Sequence, residues 1–217
     1  MIIHICGASG SGKSFLGLRL KKVLKNVKIY DMDNIRDSFL KQYSQVVTKD
    51  YQWLYQDYLD RFIKKVHKNC DVIIVGLNAN IVGECHIFTD KHGGERVMEY
   101  PNHCYEIYAD HKFYIDLEQS VVIRQRFMRD FDYNIEDFFK ILSQRKVSIF
   151  ESLVKDEDDT SKRLCETMKM FINISSFKTE TEKWDKFYRD QGYNFKSPDD
   201  IYNECIKLIK AKKKNKN

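Results

Sequence analysis

Eight residues near the start of the chain, Gly7-Ala8-Ser9-Gly10-Ser11-Gly12-Lys13-Ser14, constrain its fold more than anything that follows. Ahead of them runs Ile2-Ile3-His4-Ile5-Cys6, short and mostly apolar, the pattern of a buried strand. Behind them, Phe15-Leu16-Gly17-Leu18-Arg19-Leu20-Lys21-Lys22-Val23-Leu24 places apolar residues at helical spacing. Strand, glycine-rich turn and helix in that order match the phosphate-loop pattern GxxxxGK[ST] at every fixed position. The chemistry explains the residue types. Glycines let successive backbone N–H groups curl around phosphate oxygens, with the positive end of a helix behind them. Lys13 supplies a point charge for the β- and γ-phosphate oxygens, and Ser14 a hydroxyl for Mg²⁺. The pattern predicts a nucleoside-triphosphate site built from Gly7, Ala8, Ser9, Gly10, Ser11, Gly12, Lys13, Ser14 and Phe15.

Composition then narrows what surrounds the loop. A chain of 217 residues that is 42% hydrophobic can bury a sizeable core. Two prolines and nine glycines exclude a fibrous or low-complexity protein. The net charge is +5, yet residues 210–217 hold five lysines and no acid, so the remaining body is neutral. A neutral body does not suit gripping long nucleic acid, where many phosphates must be neutralised. The tail 210–217, read as basic and disordered, adds weak, salt-sensitive attraction to nucleic acid, another polyanion or an anionic membrane. The apolar run Met1–Cys6 meets glycine too early for a signal peptide, and no other run approaches a membrane span. With six widely scattered cysteines, the expectation is a cytoplasmic protein with reduced thiols.

Val27-Lys28-Ile29-Tyr30 reads as a second strand, ending in Asp31-Met32-Asp33-Asn34-Ile35-Arg36. No NKxD base-reading sequence occurs, which argues against a GTPase, and no strand ends in Asp-Glu as in motor ATPases. Here the sequence resembles the small P-loop kinases, among them nucleoside, nucleotide, shikimate, gluconate and polynucleotide kinases. The resemblance implies ATP and Mg²⁺ as cofactors and a catalytic carboxylate at the end of strand two. It assigns Asp33 to orienting the acceptor hydroxyl or taking its proton, and Asp31 to holding a magnesium water. Asp33-x-x-Arg36 also resembles the polynucleotide kinase pattern, in which the arginine holds an acceptor phosphate. Acids at these positions equally suit the cap of the following helix. The two roles are compatible.

Residues 46–68 carry Tyr51, Tyr55, Leu59, Phe62 and Val66 at helical spacing, widened by Trp53, Tyr58 and Ile63. They predict a core-packing helix, which the resemblance to small P-loop kinases sets beside the acceptor site, where an exposed ring could stack on a base or sugar. Cys70-Asp71-Val72-Ile73-Ile74-Val75-Gly76 predicts a buried parallel strand where a Walker B sequence belongs. Leu77-Asn78-Ala79-Asn80 follows it without an acid. Magnesium would then rest on Ser14, phosphates and water, with Asp31 in support, and a non-catalytic nucleotide-binding regulatory protein stays open as an alternative.

Residues 84–111 interrupt this pattern. His86–Lys91 and Glu95–Tyr100 alternate as a β-hairpin, an inserted flap beside the site. Cys85, His86, His92, His103 and Cys104 crowd together, though their spacing matches no recognised zinc ladder. Lys112–Leu117 predicts strand four and Val121–Asp130 a helix. That pair resembles the lid region of uridine kinase and phosphoribulokinase relatives through Arg126, Arg129 and Asp130. Arg126 and Arg129, three residues apart, share a helix face, and the resemblance makes them clamps for the transferring γ-phosphoryl. Asp156-Glu157-Asp158-Asp159 reads as a solvated loop, and 161–191 as polar helix. Gly192–Phe195 predicts strand five, and Ser197-Pro198-Asp199-Asp200 caps the last helix.

These elements add up to a single α/β domain over residues 1–209, three-layered α/β/α with a mostly parallel five-stranded sheet. The expected function is transfer of the γ-phosphoryl of ATP to a small acceptor, a nucleoside, nucleotide or similar molecule. Polynucleotide 5′-hydroxyl kinase is the alternative that Asp33-x-x-Arg36 and the lysine tail favour.

Overall fold

The structure is a computed structural model, and it describes residues 1–43, 48–80, 84–89, 95–100, 103–130 and 174–214. In chain order, β1 (Ile2–Gly7) leads to α1 (Lys13–Val23), β2 (Val27–Asp31), α2 (Met32–Gln42), α3 (Thr48–His67) and β3 (Asp71–Val75). Then come β4 (Ala79–Asn80), β5 (Glu84–Thr89), β6 (Glu95–Tyr100), β7 (His103–Cys104) and β8 (His111–Ile115). Helices α4 (Gln119–Asp130) and α5 (Ile174–Asp190), strand β9 (Asn194–Lys196) and helix α6 (Pro198–Lys214) complete the described chain. By contacts the chain divides into two compact units. One holds Met1–Gly7, Lys13–Asp116 and Phe187–Asn217; the other holds Ala8–Gly12 and Leu117–Lys186.

The first unit contains the five-stranded sheet, in the order β2-β3-β1-β8-β9, with every pair parallel. Parallel strands must be covered on both faces, and β3 shows how. Its side chains alternate. Val72 and Ile74 pack with Met32, Ile35 and Phe39 of α2 and Tyr55, Leu59 and Ile63 of α3. On the opposite face α1 approaches so closely that a Cβ on Gly17 would lie 3.4 Å from both Val75 methyls. Helix α6 joins α1, with Arg19 2.8 Å from Asp199 and its guanidinium over the Tyr202 ring. The fold is therefore the expected three-layer α/β/α arrangement.

Register carries one polar stripe into this sheet. His4 pairs with Ile74 and Lys112, and Cys6 with Tyr114, so His4, Cys6 and Tyr114 share the face covered by α3. The insertion contains the predicted hairpin, β5 paired antiparallel with β6, and a two-residue ladder joining β4 to β7. In the second unit Ala8 packs with Val122 and Leu117.

The last helix departs from expectation. It was predicted to stop at Ile209 ahead of a disordered tail, but it continues through Lys214. A partner explains part of the extension, because Lys212 Nζ lies 2.5 Å from Asp71 Oδ1 at the start of β3. Ser197 caps the other end, its hydroxyl accepting from the Asp200 N–H at 3.2 Å. Among the described residues no helix is long and apolar enough to cross a membrane.

Candidate nucleotide site

β1 runs out at Gly7, and the chain turns through Ala8–Gly12 before α1 begins at Lys13. Gly10 and Gly12 both adopt positive φ, 85° and 83°, the left-handed backbone that a side chain disfavours. The Ser11 N–H closes the turn on the Ala8 carbonyl at 3.0 Å. Its hydroxyl is buried and meets no hydrogen-bond partner among the described residues. Lys13 folds back, donating from Nζ to the Gly7 carbonyl at 2.9 Å. An ammonium held at the end of β1 stands where it can exchange that carbonyl for a phosphate oxygen. Phe15, one residue past Ser14, is largely exposed.

Ser14 and Asp31 meet. The Ser14 hydroxyl donates to Asp31 Oδ2 at 2.7 Å. The other oxygen, Oδ1, accepts the Asp33 N–H at 3.0 Å, so Asp31 is also the N-cap of α2. Asp33 sits in the first turn of α2 and forms an exposed ion pair with Arg36 at 3.0 Å. Sequence reasoning proposed a magnesium-supporting role or a cap for Asp31; the geometry gives the carboxylate both partners at once. Arg126 and Arg129 lie on α4, but their side chains fall outside the described residues.

The end of β3 is unlike a Walker B strand. Gly76 takes φ 128°, its N–H donates to the Ile5 carbonyl at 3.0 Å, and its carbonyl accepts twice. The donors are His4 Nε2 at 3.1 Å and the Cys6 thiol at 3.0 Å. A carbonyl only accepts, so His4 carries its proton on Nε2, leaving Nδ1 to accept from the Tyr193 hydroxyl at 2.6 Å. Asn78 stands where an acid was sought. It is buried, accepting from Tyr188 at 3.0 Å and donating to the Tyr105 carbonyl at 2.7 Å. Its amide is committed to the protein interior.

Burial without charge sets the electrostatics of this network. Desolvation drives the His4 pKa down to about 3, helped by the Lys112 charge against the Gly76 hydrogen bond. Desolvation also pushes the Cys6 thiol up to about 12. Both groups are neutral over the physiological range. Sequence reasoning missed this network; its one local sign was a histidine in the middle of an apolar strand.

In β9 the Phe195 ring stacks on Tyr114 at 4.4 Å and carries the Arg189 guanidinium at 3.9 Å. Both ring faces are covered. Among the described residues no cluster of metal-ligating side chains appears. The side chains of Cys85, His86, His92 and His103 lie outside those residues, as do residues 156–159.

No protein-family model and no curated protein matches the chain. Among solved structures it is similar to a shikimate kinase from Acinetobacter baumannii in complex with shikimate. That alignment covers 98% of this chain and 94% of the other at 13% identity, with a TM-score of 0.38. A likeness so loose leaves function to be argued from this chain's own residues.

Proposed function

We propose that the protein is an ATP- and Mg²⁺-dependent phosphotransferase, moving the γ-phosphoryl to a nucleoside, nucleotide or similar small acceptor. The observation that carries this reading is the 2.7 Å contact between Ser14 and Asp31 at the start of α1. A hydroxyl and a carboxylate side by side form a hard-oxygen donor set, which suits Mg²⁺ with its retained waters. Ser14 would ligate the ion and Asp31 would hold one of its waters. When bound, Mg²⁺ neutralises charge on the β- and γ-phosphate oxygens.

The chain's own groups do the rest. Backbone N–H groups of Gly7–Phe15 bind the phosphates, and Lys13 leaves the Gly7 carbonyl to join them. Asp33 orients the acceptor hydroxyl and accepts its proton as the acceptor oxygen attacks the γ-phosphorus and ADP departs. Arg36 binds an anionic group on the acceptor by opening its ion pair with Asp33. Arg126 and Arg129 enter on the sequence pattern alone, as clamps for equatorial charge. Holding both reactants in line is the larger part of the catalysis.

The test is γ-phosphate transfer from labelled ATP to a panel of nucleosides, nucleoside monophosphates, small polyols and a 5′-hydroxyl oligonucleotide. Transfer to one class that is lost in Asp33→Asn, with Lys13→Ala losing ATP binding, is the expected result. A second reading, a nucleotide-binding regulatory protein, is favoured by Asn78, whose committed amide stands after β3 where a Walker B strand carries an acid. Under that reading ATP raises the melting temperature while no acceptor is labelled.

A further inference from the structure

The end of β3 and the start of α2 are closer than side chains permit. A Cβ built on Gly76 would sit 2.7 Å from Met32 Cβ, 3.1 Å from its Cγ and 3.2 Å from its backbone nitrogen. Neither side has room to retreat. Gly76 is held on both faces of its peptide, by the Ile5 carbonyl and by the His4 and Cys6 donors. Met32 is buried among Ile35, Phe39, Val72 and Ile74, and it lies between Asp31 and Asp33. Because β2 pairs Asp31 with Val75, the residue after each strand end meets its counterpart, Met32 against Gly76.

We infer that Gly76 is a positioning residue for the Ser14–Asp31 pair: the missing side chain lets α2 begin where the Asp31 carboxylate reaches the Ser14 hydroxyl. A methyl group at position 76 pushes on Met32 Cβ and its backbone nitrogen. Neither is the far end of a flexible side chain, so the first turn of α2 moves as a whole. Asp31 is the cap of that turn, bonded to Asp33 N, and it moves with it. The 2.7 Å contact to Ser14 is the distance that opens. This inference rests on the reading of that pair as the support for Mg²⁺.

The experiment measures ATP affinity by titration calorimetry in Mg²⁺ and in EDTA, for the full chain and for Asp31→Asn, Gly76→Ala, Met32→Gly and Gly76→Ala/Met32→Gly. The unaltered chain is expected to bind ATP about tenfold more tightly with Mg²⁺, the scale of one charge-assisted interaction. Asp31→Asn and Gly76→Ala should lose that increment while keeping their affinity in EDTA. A merely structural loss would lower both affinities together. Removing the Met32 side chain takes away the two nearest atoms the new methyl meets and leaves the backbone nitrogen and the φ of 128°, so Gly76→Ala should do less harm, though still some, in the Met32→Gly background. Equal harm in both backgrounds, whether to folding or to the increment, overturns the inference. So does a folded Gly76→Ala that keeps the full increment while Asp31→Asn loses it; that result leaves the magnesium reading intact. An unaltered chain with no increment, or an Asp31→Asn that keeps it, removes the magnesium reading and the inference with it.

Discussion

At the scale of single residues, Asp31 performs two jobs that substitution can separate. Its Oδ1 caps α2 and its Oδ2 takes the Ser14 hydroxyl. Asparagine is as good a cap as aspartate, whereas alanine forfeits about 1 kcal/mol at such a position. Asp31→Asn is therefore expected to unfold near the midpoint of the unaltered chain while losing the Mg²⁺-dependent part of ATP binding. Asp31→Ala should lose both. Denaturant titration beside nucleotide titration checks the pair, and an Asp31→Asn that binds Mg²⁺·ATP normally would reduce Asp31 to a cap. Asp33 was legible for the same reason as Asp31, because acids cluster where a strand ends and a helix begins. Its ion pair with Arg36 follows from their i, i+3 spacing on α2. Gly76 was not legible in its role. A glycine after a strand is an ordinary stop; its φ of 128° and the start of α2 packed beside it together show why a methyl group has no place.

At the scale of elements, local pattern reached the strands and helices but not how the last helix ends. Val27–Asp31, Asp71–Val75 and His111–Ile115 announced themselves as short apolar runs between polar boundaries. The extension of α6 to Lys214 brings Lys212 to Asp71, 141 residues away in sequence, a contact which no local window contains. This changes how the lysine tail should be tested. Cutting the chain after residue 209 would remove the Lys212–Asp71 contact along with the charge. The cleaner variant replaces Lys210, Lys213, Lys214 and Lys216 with glutamine and keeps Lys212. It should lose salt-sensitive binding to an oligonucleotide while ATP binding is unchanged. Lys212→Ala alone should cost at most about 1 kcal/mol of stability, because the pair is partly exposed and screened. Filter binding across a salt series and thermal melts measure the two effects; oligonucleotide binding untouched by the four substitutions would rule out the tail as an electrostatic arm.

At the scale of the whole molecule, the buried network beside the site fixes how stability responds to pH. His4 faces the Tyr193 hydroxyl, the Gly76 carbonyl, the Cys6 thiol and, at longer range, the Lys112 charge; none of these favours an imidazolium enough to offset burial. Its pKa falls from 6.5 in the unfolded chain to about 3 in the fold. Between those values the unfolded chain binds the extra proton, so the stabilisation is complete above pH 6.5 and is lost as pH falls toward 3. Each unit on that limb removes about 1.4 kcal/mol. Thiols act on the other side. Burial raises Cys6 and Cys205 from 9.0 to about 12, with the Glu204 charge adding to Cys205. Here the fold keeps protons that the unfolded chain releases, so stability falls as pH climbs above 9, each thiol contributing about 1.4 kcal/mol per unit. Urea unfolding across this range should trace a plateau between the two limbs. His4→Gln, neutral at every pH, should flatten the acid limb while leaving the alkaline one, and Cys6→Ala should lower the alkaline slope by one thiol's share, about 1.4 kcal/mol per unit. A chain as stable at pH 5.5 as at 7.5 would mean that His4 takes its proton inside the fold. The Gly76 carbonyl would then lose the neutral network that holds the end of β3 against α2.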